Sequence, residues 1–243
     1  MALSELSLSG FEAAIKSNVI DMTALKKADP IKTREEIKSD WLQQRLGKFT
    51  ASEFHRLMAY PSKAEMPVGG ITYVMEKVAE SLVEPAASEG FASYDMQWGI
   101  DHEAEAVQAF TDKTGLNVDK HGLAQELITM SEHVGCTPDG LIDSTHGLEL
   151  KCPKSVTHIS YWKIKNSDDL KKHCSNYYWQ VQGSMMVTGR EEWYFASFDP
   201  RFVNPAHRLH IAKIAINIED VVSLSNRLKM AIALKKKLIA SFN

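Results

Sequence analysis

Asp139, Glu149 and Lys151 are two carboxylates and an amine whose spacing lets the chain bring them together. Pro138 and Gly140 bracket the aspartate where the backbone must bend. Gly147 and Pro153 bound a segment in which Leu148, Leu150 and Cys152 alternate with Glu149 and Lys151. That alternation predicts a half-buried strand, with Glu149 and Lys151 on one face and Leu150 driven into the core behind them. The carboxylates are hard oxygen ligands that suit Mg²⁺ together with waters and phosphate oxygens, and the backbone carbonyl of Leu150 can add a further ligand. An amine beside such an ion can position an attacking water and offset charge growing on a phosphate. An Asp-Gly turn and a Glu-x-Lys edge strand are also common as plain solvated charge, so the surrounding pieces carry the weight.

Residues 39–46 read as a short helix closed by Gly47, and Thr50-Ala51-Ser52-Glu53 opens another over residues 51–58. A helix N-terminus, the Ser52 hydroxyl and the Arg45 fork would form a phosphate pocket; a capped helix with a surface arginine is the plainer reading. Glu103 sits early in a helix expected over residues 100–114. Its first turn also holds Asp101 and Glu105, and these acids serve either a metal or the helix dipole. Gln180 and Gln182 lie among Tyr177, Tyr178, Trp179, Val181, Met185, Met186 and Val187, a helical stretch with an ordinary core face.

In chain order, the informative segments are Arg45-Leu46-Gly47-Lys48-Phe49-Thr50-Ala51-Ser52-Glu53, Trp98-Gly99 leading to Glu103, and Thr137-Pro138-Asp139-Gly140-Leu141. Then come residues 147–153, Gln180-Val181-Gln182, Trp193-Tyr194-Phe195 and Asp199-Pro200-Arg201. Over residues 41–210 the set resembles the phage lambda exonuclease-like, YqaJ-type viral recombinase branch of the PD-(D/E)xK nuclease superfamily. The resemblance implies an α/β fold, a mixed central β-sheet flanked by helices around a restriction-endonuclease-like core. It implies metal ligation by Glu103, Asp139, Glu149 and the Leu150 carbonyl, with Lys151 catalytic beside Asp139 and Glu149. It places Arg45, Ser52 and Gln180 at a terminal 5′-phosphate. The activity it implies is Mg²⁺-dependent 5′-to-3′ exonuclease resection of linear double-stranded DNA for phage-type single-strand annealing recombination, with Mn²⁺ able to substitute. A homotrimer threaded by DNA, a phage single-strand annealing protein as partner, and a bacterial host cell are implied with it. In one departure, a relative carries a phosphate-gripping arginine after the Cys-Pro pair, where this chain has Thr157 and His158. Two other readings remain open: an endonuclease of the restriction or resolvase kind, and a non-catalytic DNA-end binding factor. The complete Asp139, Glu149 and Lys151 set argues against the latter.

At 243 residues, 44% hydrophobic and 24% charged, the chain is expected to be a single nuclease domain over residues 1–243, with a helical N-terminal extension at 1–40 and a C-terminal helix at 218–243. No apolar run approaches the ~20 residues of a membrane span, and Met1-Ala2-Leu3-Ser4-Glu5 lacks the basic region of a secretory signal, so a cytoplasmic location without membrane contact is expected. Three cysteines read as reduced core thiols, too few for a four-cysteine iron–sulfur cluster. No Gly-x-x-x-x-Gly-Lys-Ser/Thr loop indicates ATP hydrolysis. The net charge of −3 lacks the basic footprint of a duplex binder. Distribution matters more than the sum, and Lys48, Lys63, Lys154, Lys163 and Lys165 lie in or near the motif segments, where they would line a channel.

The elements that must position these groups are mixed. Helices are expected at residues 9–19, 39–46, 51–58, 71–82, 100–114, 156–165, 170–187 and 219–239. Strands flank the site segment at 116–125, 134–136, 192–198 and 209–214, and loops run over 60–70 and 83–94.

Overall fold

The computed structural model describes residues 33–84 and 94–242. The helix expected at 9–19 and most of the loop expected at 83–94 lie outside the described residues. Residues 38–243 form one compact unit holding every candidate site residue, and residues 1–37 fall outside that unit. Within the latter, the Thr33 N–H donates to Glu36 Oε2 at 2.7 Å and the Glu36 N–H donates to Thr33 Oγ1 at 3.2 Å. This reciprocal cap starts α1 (Arg34–Arg45) earlier than hydrophobic periodicity alone placed it. Gly47, at φ 69°, takes the left-handed turn that ends the helix.

The chain continues through β1 (Phe49–Thr50), a 3₁₀ segment (Ala51–Arg56), α2 (Val68–Leu82) and α3 (Tyr94–Thr114). The strands β2 (Ile128–Ser131), β3 (Val134–Cys136), β4 (Gly140–Ile142) and β5 (His146–Lys151) follow. After them come α4 (Ser155–Tyr161), α5 (Ser167–His173), α6 (Ser175–Thr188), β6 (Glu192–Phe198), β7 (Leu209–Ala215) and α7 (Ile218–Ala240). The expected mixed α/β arrangement stands, with its strands divided between a three-stranded sheet, β1-β3-β2, and a four-stranded sheet, β4-β5-β6-β7. Each sheet mixes directions: β1 runs parallel to β3 and β5 parallel to β6, and the other pairs are antiparallel. The link from β3 to β4 is Thr137-Pro138-Asp139, so the site aspartate sits where the chain passes from one sheet to the other.

Two apolar clusters fix the site strand. Phe54, Trp179, Trp193 and Phe195 belong to one; Val107, Phe110, Leu148 and Leu150 belong to the other, under α3. Leu150 is therefore core, as the alternation predicts. The other face of β5 is not solvated, however, and Glu149 is 1% exposed. The half-buried strand is thus buried on both faces at Glu149, because α6 covers the side that alternation left to water. Trp193 lies flat over Gly147, where an added Cβ would come within 2.3 Å of its ring.

Three expected elements differ. No strand forms at 116–125, where Gly115, Lys120 and Gly122 all have positive φ and leave only an isolated bridge, Asp119 to Leu141. The helix expected at 170–187 is two, because Cys174, at φ −145° and ψ 62°, leaves the helical region between α5 and α6. The helix expected at 51–58 is the shorter 3₁₀ segment. Among the described residues no helix is long and apolar enough to cross a membrane.

Candidate active site

Asp139 is placed by the end of a ladder. β4 pairs with β5 only as far as Gly140 opposite Leu148, and the residue before Asp139 is a proline with no N–H to offer. The Leu150 N–H instead donates to Asp139 Oδ2 at 2.8 Å, which draws the carboxylate over the C-terminal end of β5. Lys151 Nζ lies 3.6 Å from the same oxygen and forms an ion pair with Glu149 Oε1. Gln180, on α6, donates from Nε2 to Glu149 Oε2 at 2.8 Å. The spacing that pointed to Asp139, Glu149 and Lys151 therefore does bring them together.

Burial sets their electrostatics. It pushes the Glu149 carboxyl up to about 7, against the pull of Lys151 and with the repulsion of Asp139. Burial alone would lower Lys151, but the charges of Glu149 and Asp139 outweigh it and hold the amine above its ordinary value. Glu103, on α3, lines the same cavity of about 670 Å³ as Asp139, Leu150 and Lys151. Its Oε1 accepts from Gln125 Nε2 at 2.9 Å and from the Gly122 N–H at 3.2 Å. Its carboxyl is raised by burial and by the Asp139 charge. Asp139 and Glu149 thus share the Lys151 ammonium, with the Glu103 carboxylate close enough to feel the Asp139 charge, an acidic grouping that would suit a divalent cation. Glu149 Oε1 is buried with its ion-pair partner and no well-directed hydrogen-bond donor, which fits the same demand. Among the described residues no three such groups converge closely enough to hold an ion as they stand, because Lys151 lies between Asp139 and Glu149.

A second constellation adjoins the first through the Thr137-Pro138-Asp139 link. Arg45, at the end of α1, donates from Nη1 to Thr137 Oγ1 at 2.8 Å and from Nη2 to Thr50 Oγ1 at 3.2 Å and Ser52 Oγ at 3.4 Å. Its guanidinium stacks on Trp41 at 4.3 Å from the ring centroid. A planar fork backed by an aromatic ring and ringed by hydroxyls has the chemistry that an anion would require. The structure unites Arg45 with Ser52, but it places the Gln180 amide on Glu149.

A family model described as the YqaJ-like viral recombinase domain matches residues 40–191. The chain belongs to the YqaJ-like viral recombinase family. An alkaline exonuclease from Laribacter hongkongensis, LHK-Exo, is similar in structure with a TM-score of 0.69 at 24% identity, covering 84% of this chain and 95% of that one. Its complex with dAMP gives a TM-score of 0.68 at 26% identity, with the same coverage. A phage-related exonuclease from Haemophilus somnus 129PT shares the fold at 16% identity, with a TM-score of 0.65, over 81% of this chain and 96% of that one. No curated protein matches the chain. Membership of the YqaJ-like family makes the protein a nuclease of the recombinase kind, on a restriction-endonuclease-like α/β core.

Around this YqaJ-type site stand residues that spacing did not single out. Thr137 and Thr50 complete the Arg45 pocket; the position of Thr137 two residues before Asp139 was the available signal. Tyr177, Trp98 and Arg201 line the cavity, and Arg201 stacks over Trp98 at 4.4 Å while ion-pairing with the buried Asp199 at 2.7 Å. Of the two residues offered where a relative has arginine, Thr157 lines the cavity. His158 is buried, bonded to Ser197 Oγ at 2.7 Å and the His207 carbonyl at 2.9 Å. Of the lysines expected along a channel, Lys154 lines the cavity, whereas Lys63 and Lys165 stack on Tyr60 and Trp162.

Proposed function

We propose that the protein is a Mg²⁺-dependent exonuclease that resects linear double-stranded DNA in the 5′-to-3′ direction. Its product, a 3′ single strand, would pass to a phage-type single-strand annealing protein. One observation carries this reading: a carboxylate and lysine cluster lies two residues along the chain from an arginine pocket ringed by hydroxyls. A terminal 5′-phosphate held by Arg45, Ser52, Thr50 and Thr137 would set the neighbouring phosphodiester beside Asp139 and Lys151. Glu103, Asp139, Glu149 and the Leu150 carbonyl would hold the cation, with Mn²⁺ as a substitute. When bound, the ion supplies Lewis-acid polarisation of the phosphate and neutralises charge at the attacking and leaving oxygens. Lys151, already charged, orients the water and stabilises the transition state. That LHK-Exo is found in complex with dAMP supports a reading in which this fold takes a nucleotide. The family reading extends to a homotrimer around the duplex and to a phage-encoded enzyme in a bacterial host. A net charge of −3 is compatible with DNA binding because the acids gathered at the site are offset by the cation.

The test is digestion of linear duplexes labelled at either end, beside a covalently closed circle of the same sequence. Loss of label from the 5′ end first, with the circle intact, is expected. Cleavage of the circle would favour an endonuclease.

A further inference from the structure

α6 turns two side chains one helical turn apart, Tyr177 and Gln180, toward the catalytic pair. Gln180 takes Glu149. Tyr177 takes its partner, for Lys151 Nζ lies 5.2 Å from the centroid of the Tyr177 ring. The ring is fixed on its other sides: Phe195 stands 5.7 Å away at 35°, and Tyr161 meets it edge-on at 6.2 Å and 84°. Both supporting rings are buried, and Tyr177 lines the cavity together with the edge of Tyr161.

We infer that Tyr177 is a positioning residue, whose π face holds the Lys151 ammonium at the cavity while Asp139 and Glu149 serve another cation. A lysine head sits on a flexible four-carbon stem and needs an external restraint to stay in one place. A third carboxylate would restrain it but would also add charge and compete as an oxygen ligand. An aromatic face attracts the ammonium without doing either. The division of labour on α6 is then consistent: the amide orients the carboxylate and the ring orients the amine. The inference rests on Lys151 being catalytic.

The experiment uses the full chain. Tyr177→Leu keeps bulk but removes the π face, and should lower kcat by about tenfold with KM for DNA little changed; Tyr177→Phe should recover most of it. Phenylalanine carrying one, two or three fluorines at position 177 keeps the packing against Phe195 and Tyr161 while draining the ring face, so log kcat should fall stepwise along the series. In metal-free protein with ¹³Cε-labelled lysines, the signal missing from Lys151→Ala should be shifted upfield by the ring and should return to the ordinary range in Tyr177→Leu. A flat fluorine series, or a Lys151 signal indifferent to Tyr177→Leu, overturns the inference. If Tyr177→Leu fails to fold, the fluorine series decides. Turnover retained by Lys151→Ala would instead overturn the role of Lys151 itself.

Discussion

Gln180 donates its amide to Glu149 Oε2 at 2.8 Å, so a residue expected at the terminal phosphate is found on a candidate metal ligand. The contact matters because Glu149 is buried, and a buried carboxylate oxygen stripped of its donor is costly.

Gln180→Ala should therefore slow cleavage of phosphorylated and hydroxyl 5′ ends alike, by roughly ten- to a hundredfold for a loss of about 1.5–3 kcal/mol. Single-turnover rates on the two substrates measure it. A defect confined to phosphorylated ends would return Gln180 to the phosphate pocket.

Arg45→Ala should show the opposite pattern. Loss of a charge-assisted contact to phosphate should cost ~1.5–3 kcal/mol on phosphorylated ends and leave hydroxyl ends nearly unchanged. The measurement is digestion of 3′-labelled duplexes carrying either 5′ end. Equal wild-type rates on both ends, or an equal defect on both, would rule out the pocket.

Cation affinity should depend on pH. Burial raises Glu149 to about 7, and the carboxyl must release its proton to take a metal. Affinity for Mn²⁺ should therefore fall about tenfold per unit below pH 7 and level off above it. Titration calorimetry at pH 6, 7 and 8 checks this, and Glu149→Gln should both weaken and flatten the dependence. A flat wild-type profile would remove Glu149 as a ligand.

The meeting of Asp139, Glu149 and Lys151 was legible because strand alternation and a Pro-Asp-Gly bend are local signals; β3 at 134–136 and β6 at 192–198 were legible from local sequence as well. The burial of Glu149 was not, since it depends on α6 crossing the face that alternation assigns to water. Nor was the partner of Gln180: a glutamine at helical spacing names a face, and only packing decides what the face meets. Three left-handed residues between 115 and 122 defeated the strand expected there, although two of them are glycines visible in the sequence. Arg201 lines the cavity from just beyond β6, a placement that no spacing rule reports.

Gly147 tests the packing that holds β5. Its missing side chain is filled by the Trp193 ring, 2.3 Å from where a Cβ would stand, so Gly147→Ala should destabilise the fold by about 1–3 kcal/mol. Urea unfolding would show a lowered midpoint at unchanged slope. An unchanged midpoint would mean that the ring moves freely, and that β5 is held less tightly than its burial implies.

In the proposed mechanism Lys151 performs chemistry beside a cation held by Glu103, Asp139 and Glu149. The decisive measurement takes purified wild type and Lys151→Ala on one linear 5′-phosphorylated duplex, with Mg²⁺ and with EDTA, and follows cleavage and binding together. Wild type should cleave with Mg²⁺ and stop with EDTA, while Lys151→Ala should bind the duplex nearly as well and cleave at least ~100-fold more slowly. Near-normal turnover by Lys151→Ala would remove the amine from the chemistry, and wild-type cleavage undiminished by chelation would remove the cation.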